Sequence, residues 1–150
     1  MTTLNCDIAS NTNKTKQDDQ PKRFEVSYSQ SHDWISYYFS VMIDQDGSLT
    51  VHERSFLTKL NTSNTYQLTN VELNEIQTLL TKLTKVNLEA LYTIETENNY
   101  VMDLPTNTLR YDVDGKVGET NIYGSGGNNE LNNLIRKINI ICTKYYGRHP

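Results

Sequence analysis

The sequence has almost no cysteine, no excess of positive charge and no long apolar run, and each of these absences excludes a class of protein. Its two cysteines, Cys6 and Cys142, are too few for a disulfide framework and too far apart along the chain for a closed zinc site. No apolar run approaches the ~20 residues that a membrane-spanning helix needs. With 18 acidic residues against 14 basic ones, the net charge of −4 argues against a protein that follows nucleic-acid phosphates. We therefore expect no nucleic-acid partner, no membrane insertion and no cofactor.

The chain has the size of one domain preceded by a polar segment. Its length is 150 residues and its mass 17.3 kDa. Residues 1–23 show no periodic apolar pattern and cannot bury enough apolar surface to offset the entropy of ordering them. We predict a disordered polar tail or tether over residues 1–23 and a single α+β domain over residues 24–150.

Alternating apolar residues predict strands. The alternation starts at Phe24 and resumes from Ile35 to Ile43. Asp44-Gln45-Asp46-Gly47 has turn chemistry and is followed by further alternation, which predicts a hairpin. A second hairpin is predicted around Asp112-Val113-Asp114-Gly115, with a β-bulge near Gly118.

Two helices are predicted from apolar residues at helical spacing. Thr69 and Glu72 form a capping box ahead of a helix over residues 70–85, after a polar loop from Asn61 to Gln67. A second apolar stripe predicts a helix over residues 129–145. The expected fold is α+β: a twisted antiparallel sheet of four to five strands with two helices packed on one face, built from a hairpin and a helix twice over.

Several short segments resemble a known family. They are Ser40-Val41-Met42-Ile43 running into Asp46-Gly47-Ser48-Leu49, the helix opening Leu68-Thr69-Asn70-Val71-Glu72-Leu73, and Asp103-Leu104-Pro105-Thr106 before Asp114-Gly115-Lys116. From residue 35 to about residue 146, the order of elements is similar to a family of small uncharacterised bacterial domains, often found in predicted lipoproteins of Gram-negative bacteria. The resemblance implies a non-enzymatic module of the cell envelope and supplies no functional residues.

Cys6 gains interest from this resemblance, because a lipoprotein carries a lipidated cysteine at its mature N-terminus followed by a polar tether. Thr3-Leu4-Asn5 lacks the small residue expected before such a cysteine, and no apolar segment precedes it. Lipidation of Cys6 is therefore expected only if the chain has been trimmed. A processed chain would lie in the periplasm or cell envelope, whereas a chain that truly starts at Met1 would lie in the cytoplasm.

Three further patterns favour ordinary structural roles. Residues 42–53 superficially follow a calcium loop, but Met42 stands where the first ligand oxygen is needed. Gly124-Ser125-Gly126-Gly127 precedes a helix without the Lys-Ser/Thr of a phosphate loop. The groups that could serve a small hydrolase, His32, Asp33 and Glu53, match no metalloenzyme spacing and are expected at the surface. We therefore assign no catalytic or metal-binding residue.

The acidic loops and the tyrosines carry the functional hypotheses. Residues 87–119 contain seven acids against two bases, and the chain has ten tyrosines, some of which an uncovered sheet face would expose. We expect a non-catalytic binding module of the cell envelope that holds a protein or glycan through its open sheet face or acidic loops. The alternative is a cytosolic immunity-type inhibitor whose acidic 87–119 segment blocks a basic toxin, and the second alternative is the small hydrolase. The expected partner-binding residues are Glu95, Glu97, Asp103, Asp112, Asp114, Tyr100 and Tyr111.

Overall fold

The structure is a computed structural model, and it describes residues 21–32, 36–86, 106–122 and 129–148. Six strands and two helices lie in these ranges. In chain order they are β1 (Phe24–His32), β2 (Tyr37–Asp44), β3 (Ser48–Ser55), β4 (Leu60–Gln67), α1 (Asn70–Leu83), β5 (Thr106–Val113), β6 (Lys116–Ile122) and α2 (Asn129–Tyr146). The predicted tail falls outside the described residues, except for its last three.

The strands form one open antiparallel sheet in the order β4-β3-β2-β1-β5-β6. The expected four to five strands are therefore six, and the additional strand is β4, where a polar loop was predicted. The residues of β4 alternate between half-buried and exposed, but those facing the helices include Thr62 and Asn64. Because polar residues occupy both sides of β4, the apolar period that reveals a strand is absent.

Both predicted hairpin turns are present at the same end of the sheet. The Asp44 carboxylate accepts hydrogen bonds from the backbone N–H groups of Asp46 and Ser48, each at 3.0 Å. In the second turn, Asp114 and Gly115 have φ values of 50° and 82°, which is the geometry of a two-residue primed turn. The predicted bulge near Gly118 is wrong, because β5 and β6 pair in continuous register from Asn107–Ile122 to Val113–Lys116.

The core lies between one face of the sheet and the two helices. Alternate strand residues, including Val26, Val41 and Leu109, are buried on this covered face and join Ile76 of α1 and Leu134 of α2 in one apolar cluster. The opposite face of the sheet carries no helix in the described part of the chain. We call it the open face.

The helices agree closely with their predicted ranges. Thr69 caps α1 as expected: its side chain accepts a hydrogen bond from the Glu72 N–H, and the Glu72 carboxylate accepts one from the Thr69 N–H. The predicted repetition of hairpin and helix is looser than expected, since four strands precede α1 and two precede α2. The common α+β architecture is confirmed.

Candidate functional site

The structure describes three of the eight residues predicted to bind a partner or carry a lipid. Asp112 lies at the end of β5, and Asp114 lies in the following turn. Tyr111 is buried on the covered face, with 6% of its surface exposed. Cys6, Glu95, Glu97, Tyr100 and Asp103 lie outside the described residues. The hypothesis that the acidic 87–119 segment blocks a basic toxin thus stays a prediction.

Tyr111 does not contribute to the open face, because β5 directs it toward the helices. It pairs in register with Gly118 of β6, and its ring lies across the space that a side chain at position 118 would occupy. Burial raises the pKa of its hydroxyl. Tyr111 therefore packs over a glycine in the core instead of providing contact area for a partner.

The register brings three carboxylates together in one row across the open face. Glu25 of β1 lies opposite Asp44 of β2 on one side and opposite Asp112 of β5 on the other. Directly opposed side chains have Cβ atoms about 5 Å apart. We call Asp44, Glu25 and Asp112 the acidic row. Sequence reasoning named Asp112 but missed the other two, because nothing local indicates which strands become neighbours.

The carboxylates near this end also shape the turns beside the row. Asp112 accepts a hydrogen bond from the Gly115 N–H at 3.0 Å, and Asp114 accepts one from the Arg23 N–H at 2.9 Å. The Asp114 N–H in turn donates to the Arg23 carbonyl at 2.9 Å. These bonds fix the carboxylates of Asp112 and Asp114, and the Asp44 carboxylate is held in the same way by its own turn.

The other end of the open face carries aromatic and basic side chains. Tyr38 lies directly opposite Arg54, and the ring centroids of Tyr38 and His52 are 6.1 Å apart. The Arg54 guanidinium lies 4.1 Å from the centroid of the Phe56 ring, a cation–π contact. Tyr38 and Phe56 are 39% and 60% exposed. We call Tyr38, His52, Arg54 and Phe56 the aromatic–basic patch.

Arg54 is available for a further contact. Within the described ranges it belongs to no salt bridge, whereas Lys137, Lys144 and Arg148 each pair with a glutamate. Its guanidinium keeps its fork of N–H donors while its plane rests on Phe56. Tyrosine and arginine are also among the residue types that carry most of the binding energy at protein interfaces, and phenylalanine is enriched there.

Glu53 lies on the covered face, behind the aromatic–basic patch, and its predicted surface position is wrong. It is 1% exposed. Its carboxylate accepts hydrogen bonds from the Tyr146 hydroxyl at 2.7 Å and the Tyr37 hydroxyl at 3.1 Å, and it contacts the Arg148 guanidinium. Burial and the negative charge of Glu53 raise the pKa of Tyr37 to about 12. Both carboxylate oxygens are therefore occupied by groups of the protein itself.

This arrangement attaches the C-terminal end of α2 to the sheet. Tyr146 also lies 3.3 Å from the Thr62 hydroxyl and packs its ring against Phe39, with centroids 5.7 Å apart. A buried carboxylate requires such partners, because an unpaired charge is costly away from water. The neighbouring His52 lies on the open face, because successive residues of a strand point to opposite faces.

Of the remaining groups of the hydrolase hypothesis, only His32 lies within the described residues. His32 ends β1 and pairs in register with Tyr37, while Asp33 lies outside the described ranges. Cys142 is fully buried in the core, and burial raises the pKa of its thiol to about 11.

The described residues contain no group of three or more His, Cys, Asp or Glu side chains placed to hold a metal ion. In the same ranges neither α1 nor α2 combines the length and apolar character needed to cross a bilayer. What the described surface offers is thus an open sheet face with an acidic end and an aromatic–basic end.

Comparison with known proteins gives a family but no activity. A family model described as Domain of unknown function (DUF6438) matches residues 37–142. No curated protein matches the chain. The match confirms the predicted resemblance to a family of uncharacterised domains, while the lipoprotein setting stays an expectation.

Proposed function

The chain belongs to the family described as Domain of unknown function (DUF6438), and from the geometry of its sheet we propose that it is a non-catalytic domain that binds a protein partner on the open face. The observation that carries this proposal is the separation of charge on that face. Tyr38 and Asp44 stand six positions apart on β2, and thus about 20 Å apart. The aromatic–basic patch and the acidic row therefore lie at opposite ends of one rigid surface.

Most side chains between the two ends are small and polar, although Met42 and Arg110 also lie there, in the row next to the acidic row. Those on the open face include Ser27, Ser29, Ser40, Thr50, Ser63, Thr65 and Thr108. Hydroxyl groups can donate and accept hydrogen bonds without the entropic cost of ordering a long side chain. A partner can consequently approach the rows that carry these small side chains closely, with its anchoring contacts on the aromatic–basic patch.

A protein fits this face better than a glycan. A folded protein can present an acidic group to Arg54 and basic groups to the acidic row at the matching separation, whereas a neutral glycan can do neither. The exposed Tyr38, Arg54 and Phe56 of the open face are also of the residue types enriched at protein interfaces. Binding of a glycan instead of a protein would therefore contradict this proposal.

A photo-crosslinker placed on the open face tests the proposal in the native cell. We would introduce it at Ser40, which pairs in register with His52, and as a matched control at Thr78, which is exposed on α1. The expected result is a protein adduct at Ser40 that disappears when Arg54→Glu is added and is absent at Thr78. Equal adducts at both positions, insensitivity to Arg54→Glu, or an adduct with glycan alone would overturn the proposal.

We further propose that this partner lies in the cell envelope, as the resemblance implies, with lipidated Cys6 as the tether. The test is the intact mass and the cell fraction of the protein isolated from its native cell. The expected result is a trimmed chain with lipid mass on Cys6, recovered in the membrane fraction. An unmodified cytosolic protein would contradict the envelope location and favour the immunity-type alternative.

The acidic row supports the alternative of an inhibitor that binds a basic protein. Long-range attraction by a cluster of like charges accelerates association and depends on salt. For the protein partner identified by crosslinking, replacing Glu25, Asp44 and Asp112 together by their amides should lower the association rate at low salt about tenfold and flatten its salt dependence. Stopped-flow or surface-binding kinetics would measure both. Unchanged kinetics would show that the acidic row is not part of the interface.

A further inference from the structure

The edge strand β4 presents one side of its backbone to solvent. It pairs only with β3 in the described part of the chain, and the remaining backbone hydrogen bonds there give its other side no partner. An edge of this kind offers a row of N–H and C=O groups to any further strand. Natural proteins usually protect such an edge with charge, proline, bulges or a covering segment.

The residues of β4 provide none of these protections. Its eight residues, Leu-Asn-Thr-Ser-Asn-Thr-Tyr-Gln, include no charged residue, no proline and no glycine. Its register with β3 is continuous from Ser48–Gln67 to Ser55–Leu60, without a bulge. The opposite edge strand differs, since β6 carries Lys116, Gly118 and Glu119. Of the two edge strands of the sheet, β4 is therefore the one better suited to pair with another strand.

We propose that β4 pairs antiparallel with β4 of a second copy of this chain. A twofold axis perpendicular to the sheet then brings Ser63 opposite its own counterpart and keeps the helices of both copies on the same side. Because β4 is uncharged, a copy approaches it without repulsion between like charges. The hydroxyl and amide side chains of the open face can extend across the junction as Thr50 and Thr65 do within the chain, at 3.3 Å.

The groups flanking β4 favour this antiparallel arrangement. Lys59 precedes the strand and is exposed, whereas at the far end the Gln67 amide donates to the Asp46 carbonyl at 2.8 Å. Antiparallel pairing centred on Ser63 places Lys59 of one copy opposite Gln67 of the other, and therefore beside the acidic turn that contains Asp46. Each dimer gains two such contacts between opposite charges. Two copies make a continuous sheet of twelve strands with a doubled open face.

A charge-swap experiment on the full chain tests the pairing. Sedimentation velocity over a range of concentrations, with reductant present to prevent a disulfide through Cys6, should show a reversible dimer for the wild type. Ser63→Lys and Ser63→Glu each place like charges at the junction and should raise the dimer dissociation constant at least tenfold. Mixing the two variants should restore the dimer. Ser63 is exposed, so either substitution should leave the fold unchanged by circular dichroism.

The matched control is Val117→Lys, which places a lysine on the open face of the other edge strand at a position 61% exposed. It should leave the dimer dissociation constant unchanged. A wild type that is monomeric at every concentration, a dimer indifferent to both Ser63 variants, or a dimer abolished by Val117→Lys would overturn the proposal. These outcomes are independent of the partner crosslinked at Ser40, so the two proposals can fail separately.

Discussion

At the scale of single residues, Glu53 shows how pairing decides what a side chain does. The sequence places His52 and Glu53 on opposite faces of a strand, but it does not indicate which face the helices cover. In the structure Glu53 lies under the end of α2 and pairs with Tyr37, Tyr146 and Arg148. A carboxylate that the sequence predicts to be at the surface is therefore buried, and it holds the end of α2 against the sheet.

We predict that Glu53→Ala destabilises the protein by about 3 kcal/mol, because removing one member of a buried charged network leaves its partners unpaired. Arg148→Ala should cost less, since the Arg148 side chain is 55% exposed. His52→Ala on the open face is the matched control and should change stability by less than about 0.5 kcal/mol. Urea unfolding of the three variants measures these differences. Equal losses for Glu53→Ala and His52→Ala would contradict the assignment.

Gly118 gives a second prediction at this scale. A β-carbon at this position would overlap the ring of Tyr111, which is 6% exposed and cannot move aside freely. We expect Gly118→Ala to destabilise the protein by about 2 kcal/mol, the usual cost of overpacking. In a Tyr111→Ala background the same change should be neutral or stabilising, because alanine is favoured over glycine in a strand. A double-mutant cycle by thermal unfolding would show the coupling, and additive effects would contradict it.

At the scale of elements, α1 and α2 are joined through Glu72, which the sequence identified only as part of a helix cap. Its carboxylate also accepts hydrogen bonds from the Lys144 amine at 2.7 Å and the Tyr145 hydroxyl at 2.9 Å. Burial alone would raise the pKa of Glu72, but the bonds from Lys144, Thr69 and Tyr145 outweigh it and lower the pKa to about 2. The cap of one helix thus holds the end of the other.

This lowered pKa predicts how stability depends on pH. Because the folded protein binds the Glu72 proton more weakly than the unfolded chain, the contribution of Glu72 is present above its ordinary pKa of 4.5 and is lost as the pH falls toward 2. The free energy of unfolding should decrease over this interval, and Glu72→Gln should flatten that part of the curve. Urea titrations between pH 2 and 6 provide the measurement. Parallel curves for the two proteins would contradict the role of Glu72.

At the scale of elements, the strands also show where prediction from an apolar period fails. β1, β2, β3 and β5 carry apolar residues at every second position in their central parts, so their existence follows from local pattern. β4 carries Thr62 and Asn64 on the side facing the helices, where an edge position leaves them half-buried and near solvent. Because burial at an edge is incomplete, a polar strand is stable there without an apolar period.

At the scale of the whole molecule, β1 joins the two halves of the sheet. It pairs with β2 on one side and with β5 on the other, and the β5 residues stand about 80 positions later in the chain. Leu131, Leu134 and Ile138 of α2 belong to the same core as Val26 and Val41. Neither the part with β1 to β4 and α1 nor the part with β5, β6 and α2 encloses a complete core alone.

We therefore predict that a fragment of residues 21–86 does not fold independently, although it contains four strands and α1. Without β5 and α2, the apolar residues of β1, β2 and β3 remain exposed, and the remaining burial cannot offset the entropy of ordering the chain. Circular dichroism and proton NMR of the fragment should show an unfolded chain, with the intact protein as control. A cooperative unfolding transition for the fragment would show that the first half is an autonomous unit.

The sequence by itself determined the α+β class, both hairpin tips, the capped start of α1 and the extent of both helices. Each of these depends on residues close together along the chain, whose spacing, turn chemistry and capping act locally. Only the tertiary structure decided that Glu53 is buried, that β4 completes the sheet, and that Asp44, Glu25 and Asp112 form one row. These features depend on which strands become neighbours and in which register. That choice is made by burying apolar surface from distant parts of the chain together.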